Sequence, residues 1–459
     1  MKAFALLVIL LTASCGLFGG EGSGDNPDSS SVEAQISQVV NIMIVDDGFN
    51  LNQEVFNDKI LDQFTVDCSE SEDMQDEGDS TEDLQELTLD EKFEKLKDEY
   101  IKGFNQENPC KLEQSITYPE NPQLFELVQY RDEWNRMLGN KASFNEIFSN
   151  ENLTKIALVI DDVPHHGTTT ASLIAYNNPN VKMVFLEVKL GDGSGPEECI
   201  IQEEVDLTVR VLRDPEIRDL YLNQEQNPVS KRLDEIVELH NIKLVNYSAA
   251  SNPRSIIEEQ NRQLGCEDVS LLEYFNEISS LDKALEEKRK NEASSAIEPL
   301  FIQSAGNEGA QIDAYSDFLA CSNESETSLL VGSNEFSGVR SDFSNFGQCV
   351  DVYAVGGSIV SSSLYGFLNI KSGTSYSAPI VSRYVSQHLA HLGTAKEMKV
   401  ALKQLLDSDK NLPESFPVEL AYDNFSTPVT RFSLRPSPFH SFKLSPSYLI
   451  LNRVISSLK

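Results

Sequence analysis

The sequence predicts an α/β protein, with a mainly parallel central sheet, helices on both faces, and a helical, acidic insertion. Three observations predict it. Short, nearly continuous apolar runs recur along the chain, each of a length that suits a strand buried on both faces. Helical patterns lie between most of these runs, and such alternation builds parallel sheets. At 459 residues, 40% hydrophobic and 24% charged, the chain can bury a large core, and wholesale disorder is excluded. Its 73 acidic residues against 37 basic ones give a formal net charge of −36. That balance argues against a nucleic-acid binder, which needs local positive charge at each phosphate, and against broad adhesion to anionic lipid.

The elements follow in chain order. Met1-Lys2 precedes an apolar run from Ala3 to Leu11, so residues 1–14 read as a signal peptide, too short to span a bilayer. Leu11-Thr12-Ala13-Ser14-Cys15 resembles a bacterial lipobox. The resemblance implies export, a lipid anchor at Cys15 and attachment to the bacterial cell envelope (the outer membrane if Gram-negative). An ordinary export signal followed by a free Cys is the alternative. Residues 15–36, with Gly-Gly, Gly-Ser-Gly and a Ser triplet, read as lipidated Cys and flexible tether. Six other cysteines remain, an even set suited to an oxidising compartment. Sequential pairing (Cys68 with Cys110, Cys199 with Cys266, Cys321 with Cys349) keeps each pair within one segment.

A domain is expected over residues 37–410. Its strand candidates are Val39–Val45, Ile156–Ile160, Val181–Val188, Ile242–Val245, Leu300–Gln303, Ser328–Gly332 and Val350–Ala354. Ser230–His240 and Ser270–Ala293 read as helices. Residues 51–153 do not fit a minimal sheet and read as a small helical insertion. Within it, Asp67–Asp83 has no Lys or Arg and reads as a solvated loop. Thr88-Leu89-Asp90-Glu91 is a capping-box pattern. It opens a helix with Phe93, Leu96 and Tyr100 on one face and Gly103 as its stop. Asn121-Pro122 begins a second helix running through Leu127 and Trp134 to Gly139. Residues 411–459 form a basic, Pro-containing extension with no acid beyond Asp423, which could attract the acidic insertion.

Four motifs fall at strand ends or helix starts: Asp46-Asp47-Gly48, His166-Gly167-Thr168, Ala305-Gly306-Asn307, and Gly373-Thr374-Ser375 continuing to Pro379. Taken singly, the first three are ordinary turn and cap chemistry. Together they supply what peptide hydrolysis requires: a nucleophile, a base, an orienter and an oxyanion donor. Ser375 would attack from a helix N-terminus, His166 would carry the proton, Asp46 would orient the imidazole, and Asn307 would donate to the oxyanion.

In this order the motifs resemble those of the subtilisin-like serine peptidases, the subtilases (peptidase family S8). Ile44–Gly48 resembles the family's strand-Asp-x-Gly, and His166-Gly167-Thr168 with Ala171 its His box. Ala305–Gly309 and Gly373–Pro379 resemble its Asn and Ser boxes. Asn246-Tyr247-Ser248 is similar to the substrate-pairing strand, and Ser341–Gly347 to the turn before the last core strand. The resemblance implies a substrate pocket including Ser248, Ala249, Ala250, Ser304, Ala305 and Gly306.

The chain departs from the family pattern at several positions. Thr169 stands where a second His is common and Thr170 where an apolar residue is, and neither carries the proton transfers. Ala250 replaces a pocket Gly, and Val355 a usual Pro. His165 rivals His166, and Asp161 or Asp162 rivals Asp46, but the Gly-Thr register and the strand context favour His166 and Asp46. About 25 residues separate Cys15 from the Asp46 strand, too few for a folded propeptide, so the chain would fold unaided or another part would take over that role. The insertion, between Asp46 and His166, is expected to shape or cover substrate access.

The resulting expectation is an exported, membrane-anchored serine endopeptidase acting through an acyl-enzyme on protein or peptide substrates. No catalytic metal or cofactor is expected, and no nucleic-acid partner. Structural Ca²⁺ occurs in many subtilases, but no Asp-x-Asp-x-Asp-Gly loop marks a site here. Excess acid would steer basic substrates. The alternatives are a catalytically inactive subtilase-fold binding or structural lipoprotein, and an esterase using the same residues.

Overall fold

All but one of the apolar runs fold as strands of a single sheet. The computed structural model describes residues 39–67, 87–105, 110–116, 122–139, 151–162, 166–189, 199–223, 228–248, 261–292, 298–312, 327–362 and 364–406. The strands are β1 (Val40–Asp46), β2 (Ile60–Asp67), β3 (Lys111–Glu113), β4 (Val181–Lys189), β5 (Leu244–Tyr247), β6 (Leu300–Ser304), β7 (Ser328–Asn334) and β8 (Val352–Val355). They lie in the order β3-β2-β4-β1-β5-β6-β7-β8. Every neighbouring pair is parallel except β2 with β3, which is antiparallel at the edge. A separate antiparallel hairpin joins β9 (Ile359–Ser362) to β10 (Leu368–Lys371).

Helices in chain order are α1 (Leu89–Asn105), α2 (Pro122–Glu126), α3 (Arg131–Gly139), α4 (Glu151–Asp162), α5 (His166–Ala175), α6 (Gln202–Leu212), α7 (Pro215–Asn223), α8 (Pro228–Leu239), α9 (Leu272–Glu292), α10 (Thr374–His388) and α11 (Ala395–Leu405). The two-residue period of the strands sorts their side chains between two cores. Ile42, Ile44, Phe185, Leu244, Ile302 and Val331 face one side, packed with α5, α10 and α11. Met43, Val45, Val184, Leu186, Val245 and Phe301 face the other, against Leu233, Ile236 and Val237 of α8. Phe185 anchors the first core, meeting Phe49 and Phe56 edge-on at centroid distances of 5.2 and 5.4 Å. Phe49 and Phe56 of that cluster lie directly after the β1 terminus, in the segment that follows Asp46.

Two smaller cores stand apart from the sheet. Phe93, Leu96 and Tyr100 of α1 pack with α6, α7 and α9. Lys97 bridges to Asp214 at 3.0 Å, and Arg213 to Glu277 at 2.6 Å. Cys199 and Cys266 form a disulfide there, one of the sequential pairs; Cys110 and Cys349 each take part in a separate disulfide. The second small core joins Leu127, Trp134, Leu153 and Ile156 to Phe367 of the β9–β10 hairpin.

The structure corrects four expectations. Ile156–Ile160 is not a strand but part of helix α4. A short apolar run has no period of its own; Leu153 and Ile156, three apart, mark the buried helical face, and Glu151 pairs with Lys155 across one turn. The insertion is not wholly helical, because β2 pairs with β4 within the main sheet. Its polar alternation suits a strand near the sheet edge, which need not be apolar throughout. The helix expected from Pro122 to Gly139 is broken into α2, a 3₁₀ turn at Val128–Tyr130, and α3. Helix α1 runs past Gly103 to Asn105, while its Thr88–Glu91 capping box forms as read. The signal peptide, Cys15, the tether, all but the first residue of the acidic stretch, and the C-terminal extension lie outside the described residues.

Candidate active site

Asp46 is the last residue of β1, at the carboxyl edge of the sheet where open α/β folds form their crevices. Its side chain is 2% exposed, so its oxygens need partners. Oδ1 accepts from the Asp47 backbone N–H at 2.8 Å and contacts Nδ1 of His166 at 2.7 Å. Oδ2 accepts from the Thr170 hydroxyl at 2.9 Å. His166 opens α5, and the residues after it explain why the helix begins there. The Gly167 N–H donates to the Asp47 carbonyl at 2.6 Å, an approach so close that a Cβ on Gly167 would lie 2.5 Å from the same oxygen. The Thr168 hydroxyl donates to the Gly48 carbonyl at 3.0 Å and accepts from the Asn50 N–H at 2.7 Å. The His box therefore clamps the β1 loop to α5.

Electrostatics follow from this packing. Desolvation disfavours the charged imidazole of His166, but the Asp46 carboxylate, its hydrogen bond and then Asp47 outweigh it, raising the pKa to about 9. Lys371 of β10 acts in the lowering direction. Tyr247, at the end of β5, is raised by burial and by the Asp46 charge. The His166 side chain remains 31% exposed, open to the cleft.

Ser375 is the second residue of α10, partly exposed between buried Thr374 and Tyr376. Helix α10 packs against α5, and the Tyr376 ring lies 5.6 Å from that of His166. Pro379 sits four residues on, so it provides no N–H for the Ser375 carbonyl. Asn307 is exposed, yet its Oδ1 accepts from both the N–H and the hydroxyl of Thr374, at 2.8 and 3.0 Å. The Thr374 hydroxyl in turn accepts from the Gly306 N–H at 3.1 Å. With Oδ1 occupied, the carboxamide nitrogen is turned toward the start of α10; a Cβ on Gly373 would lie 3.6 Å from it. Gly306, at φ +93°, makes the turn that permits this.

A family model, described as "Subtilase family", matches residues 37–409. The chain belongs to the subtilase family. The subtilase is 29% identical over 159 residues to a putative subtilisin-like proteinase 1 of Encephalitozoon cuniculi, a match covering 35% of this chain and 31% of that protein. It is 37% identical over 89 residues to alkaline serine exoprotease A of Vibrio alginolyticus, covering 19% and 16%. The chain thus spans less than a third of the length of either relative. A cold-adapted subtilisin-like serine proteinase of known structure covers 87% of this chain with 94% of its own, at 16% identity and a TM-score of 0.38.

In the subtilase, Ser248, Ser304 and Ala305 are fully buried. Ser248 accepts from Asn246 at 2.8 Å, and the Ser304 hydroxyl donates to the Ser248 carbonyl at 3.1 Å. Both side chains are thus hydrogen-bonded within the protein interior. Ala249, Ala250 and His165 lie outside the described residues, and Asp161 and Asp162 fall in the last turn of α4. Among the described residues, the group with metal-ligand spacing is Asp46, Asp47 and His166, whose donor atoms lie within 4.8 Å of one another. With an imidazole among its donors and Asp46 engaged with it, this set does not fit Ca²⁺, which takes roughly six to eight oxygens. No helix of the described residues is long and apolar enough to cross a membrane. In the sequence Thr170 is a departure from the family pattern that carries no proton transfer, and Thr374 is part of the Gly-Thr-Ser motif with no role of its own. For Thr170, its spacing four residues after His166 on one helix was the available signal.

Proposed function

We propose that this subtilase is an exported serine endopeptidase, anchored to the cell envelope through lipidated Cys15 and hydrolysing peptide bonds in protein or peptide substrates. Ser375 is the nucleophile, and its hydroxyl proton passes to Nε2 of His166 as the acyl-enzyme forms. His166 returns that proton to the leaving amine, then activates the water that releases the acid. Asp46 holds Nδ1–H and stabilises the imidazolium. Asn307 and the first N–H groups of α10 take the developing oxyanion. The observation carrying the reading is the 2.7 Å Asp46–His166 contact beside the Gly373–Ser375 helix start, with Asn307 tied to Thr374 next to the nucleophile.

A fluorophosphonate probe tests the chemistry. Wild type should label and Ser375→Ala should not; absence of labelling on folded, mature wild type would overturn the reading. A peptide-library digest distinguishes peptidase from esterase. The anchor is tested by membrane fractionation, where Cys15→Ala should release the protein into the soluble exported fraction.

A further inference from the structure

We propose that Thr170 is a positioning residue for the catalytic pair, fixing the Asp46 carboxylate through Oδ2 while His166 engages Oδ1. The inference rests on the function proposed above.

His166 and Thr170 lie four residues apart on α5, so they share one helix face. Together they meet both oxygens of one carboxylate, at 2.7 and 2.9 Å. A carboxylate's terminal torsion is broad, and a single partner leaves it loosely held. Oδ1 already has two partners, whereas Thr170 makes the one hydrogen bond to Oδ2 among the described residues. Thr170 is itself fully buried, so water does not substitute for it. Its hydroxyl also lies 3.1 Å from the Gly167 carbonyl, the ordinary back-bond of a helical Thr. One proton serves one acceptor best, and the shorter contact to an anion is the stronger. A Thr that merely back-bonded would have no need of that carboxylate.

The charged or titratable groups acting on the pair are Asp47, from the β1 loop, Lys371, from β10, and Tyr247, from β5. None of them supplies a hydrogen bond to Oδ2. A donor on Oδ2 draws charge away from the His166 side. Its loss concentrates charge on Oδ1, makes His166 more basic and lets the carboxylate turn.

The test uses the full-length protein with Thr170→Val, which keeps the shape and removes the hydroxyl, and Thr170→Ser, which keeps the donor. Fluorophosphonate labelling is followed against pH. Thr170→Val should label at least about tenfold more slowly at its optimum, as expected for losing a hydrogen bond to a charged group. Its acid limb should move to higher pH, and Thr170→Ser should restore both. NMR titration of His166 in the Ser375→Ala background gives the same pKa shift without turnover. A folded Thr170→Val with wild-type rate and pH dependence, or with only a lowered Tm, overturns the proposal. If Val does not fold, Thr170→Cys offers a weaker donor of similar size, and an unshifted pH profile there also overturns it. Wild type that fails to label refutes the proposed function instead, so the two failures are distinguishable.

Discussion

The Asp46–His166–Ser375 face lies at the carboxyl edge of the main sheet, the inserted helices α2–α4 pack on the β9–β10 hairpin, and the two regions are held by different means. On the first, side chains grip side chains or tight loops: Asp46 with His166 and Thr170, Asn307 with Thr374, Thr168 with the β1 loop. On the second, α3 grips backbone. Arg131 donates to the Tyr365 carbonyl at 3.1 Å, Trp134 to the Leu368 carbonyl at 2.8 Å, and Asn135 to the Gly366 carbonyl at 3.0 Å. Asn135 also accepts from the Leu368 N–H at 2.7 Å. The held hairpin leads through Lys371 and Gly373 into Ser375. On the mechanism proposed, the first region orients reacting groups, and the second steadies the hairpin that leads into one of them. Substitutions should therefore separate activity from stability.

The largest effect is expected at His166. His166→Ala should reduce fluorophosphonate labelling and peptide turnover by on the order of 10⁴-fold or more, with Tm shifted by only a few degrees. Trp134→Ala should show the reverse. It empties a buried site and removes the bond to Leu368, costing about 3–5 kcal/mol of stability in urea unfolding. Activity per folded molecule should change far less; an equal loss of both would join the two regions into one unit.

Asn307→Ala follows, with kcat lowered about 10²–10³-fold, since on the mechanism proposed the oxyanion loses a donor, and Thr374 loses its acceptor. A rise in KM with kcat unchanged would remove that role.

The smallest effects concern charge. With His166 at about 9, kcat/KM should rise with pH through that value, because the base must be neutral. Asp47→Asn should move this limb to lower pH, and Lys371→Met to higher pH, each by less than a change at Asp46. Stability runs the opposite way. A raised histidine pKa favours the fold fully below its ordinary value of 6.5, and that contribution is lost as pH rises through about 9. Melting curves across this window should thus decline while activity climbs.

The sheet and the site differed in how openly the sequence announced them. Central strands such as β1 and β6 are continuous apolar runs because both faces are buried, and the motifs sit at their ends. Strand β2 was hidden because its exposed start and polar alternation resemble loop chemistry. Helix α4 was misread because an apolar run of five has no distinguishing period, and Phe367, whose burial it shares, lies more than two hundred residues away. Contacts with backbone carbonyls leave no pattern in the residues contacted, so the docking of α3 on the hairpin could not be read. Thr170 stands out in the sequence only as a departure from the family pattern, and its contact with Oδ2 of Asp46 has no signal beyond its four-residue spacing from His166.

The grip of α3 on main-chain atoms has an evolutionary corollary. Leu368 offers a carbonyl that every amino acid possesses, so its side chain can change while the attachment persists, whereas Gly366 at φ +75° and the buried Phe367 are fixed by backbone and packing. Trp134 and Asn135 have no such latitude. Variation among descendants of this chain should be lopsided across a single interface, generous at Leu368 and sparse on the helix.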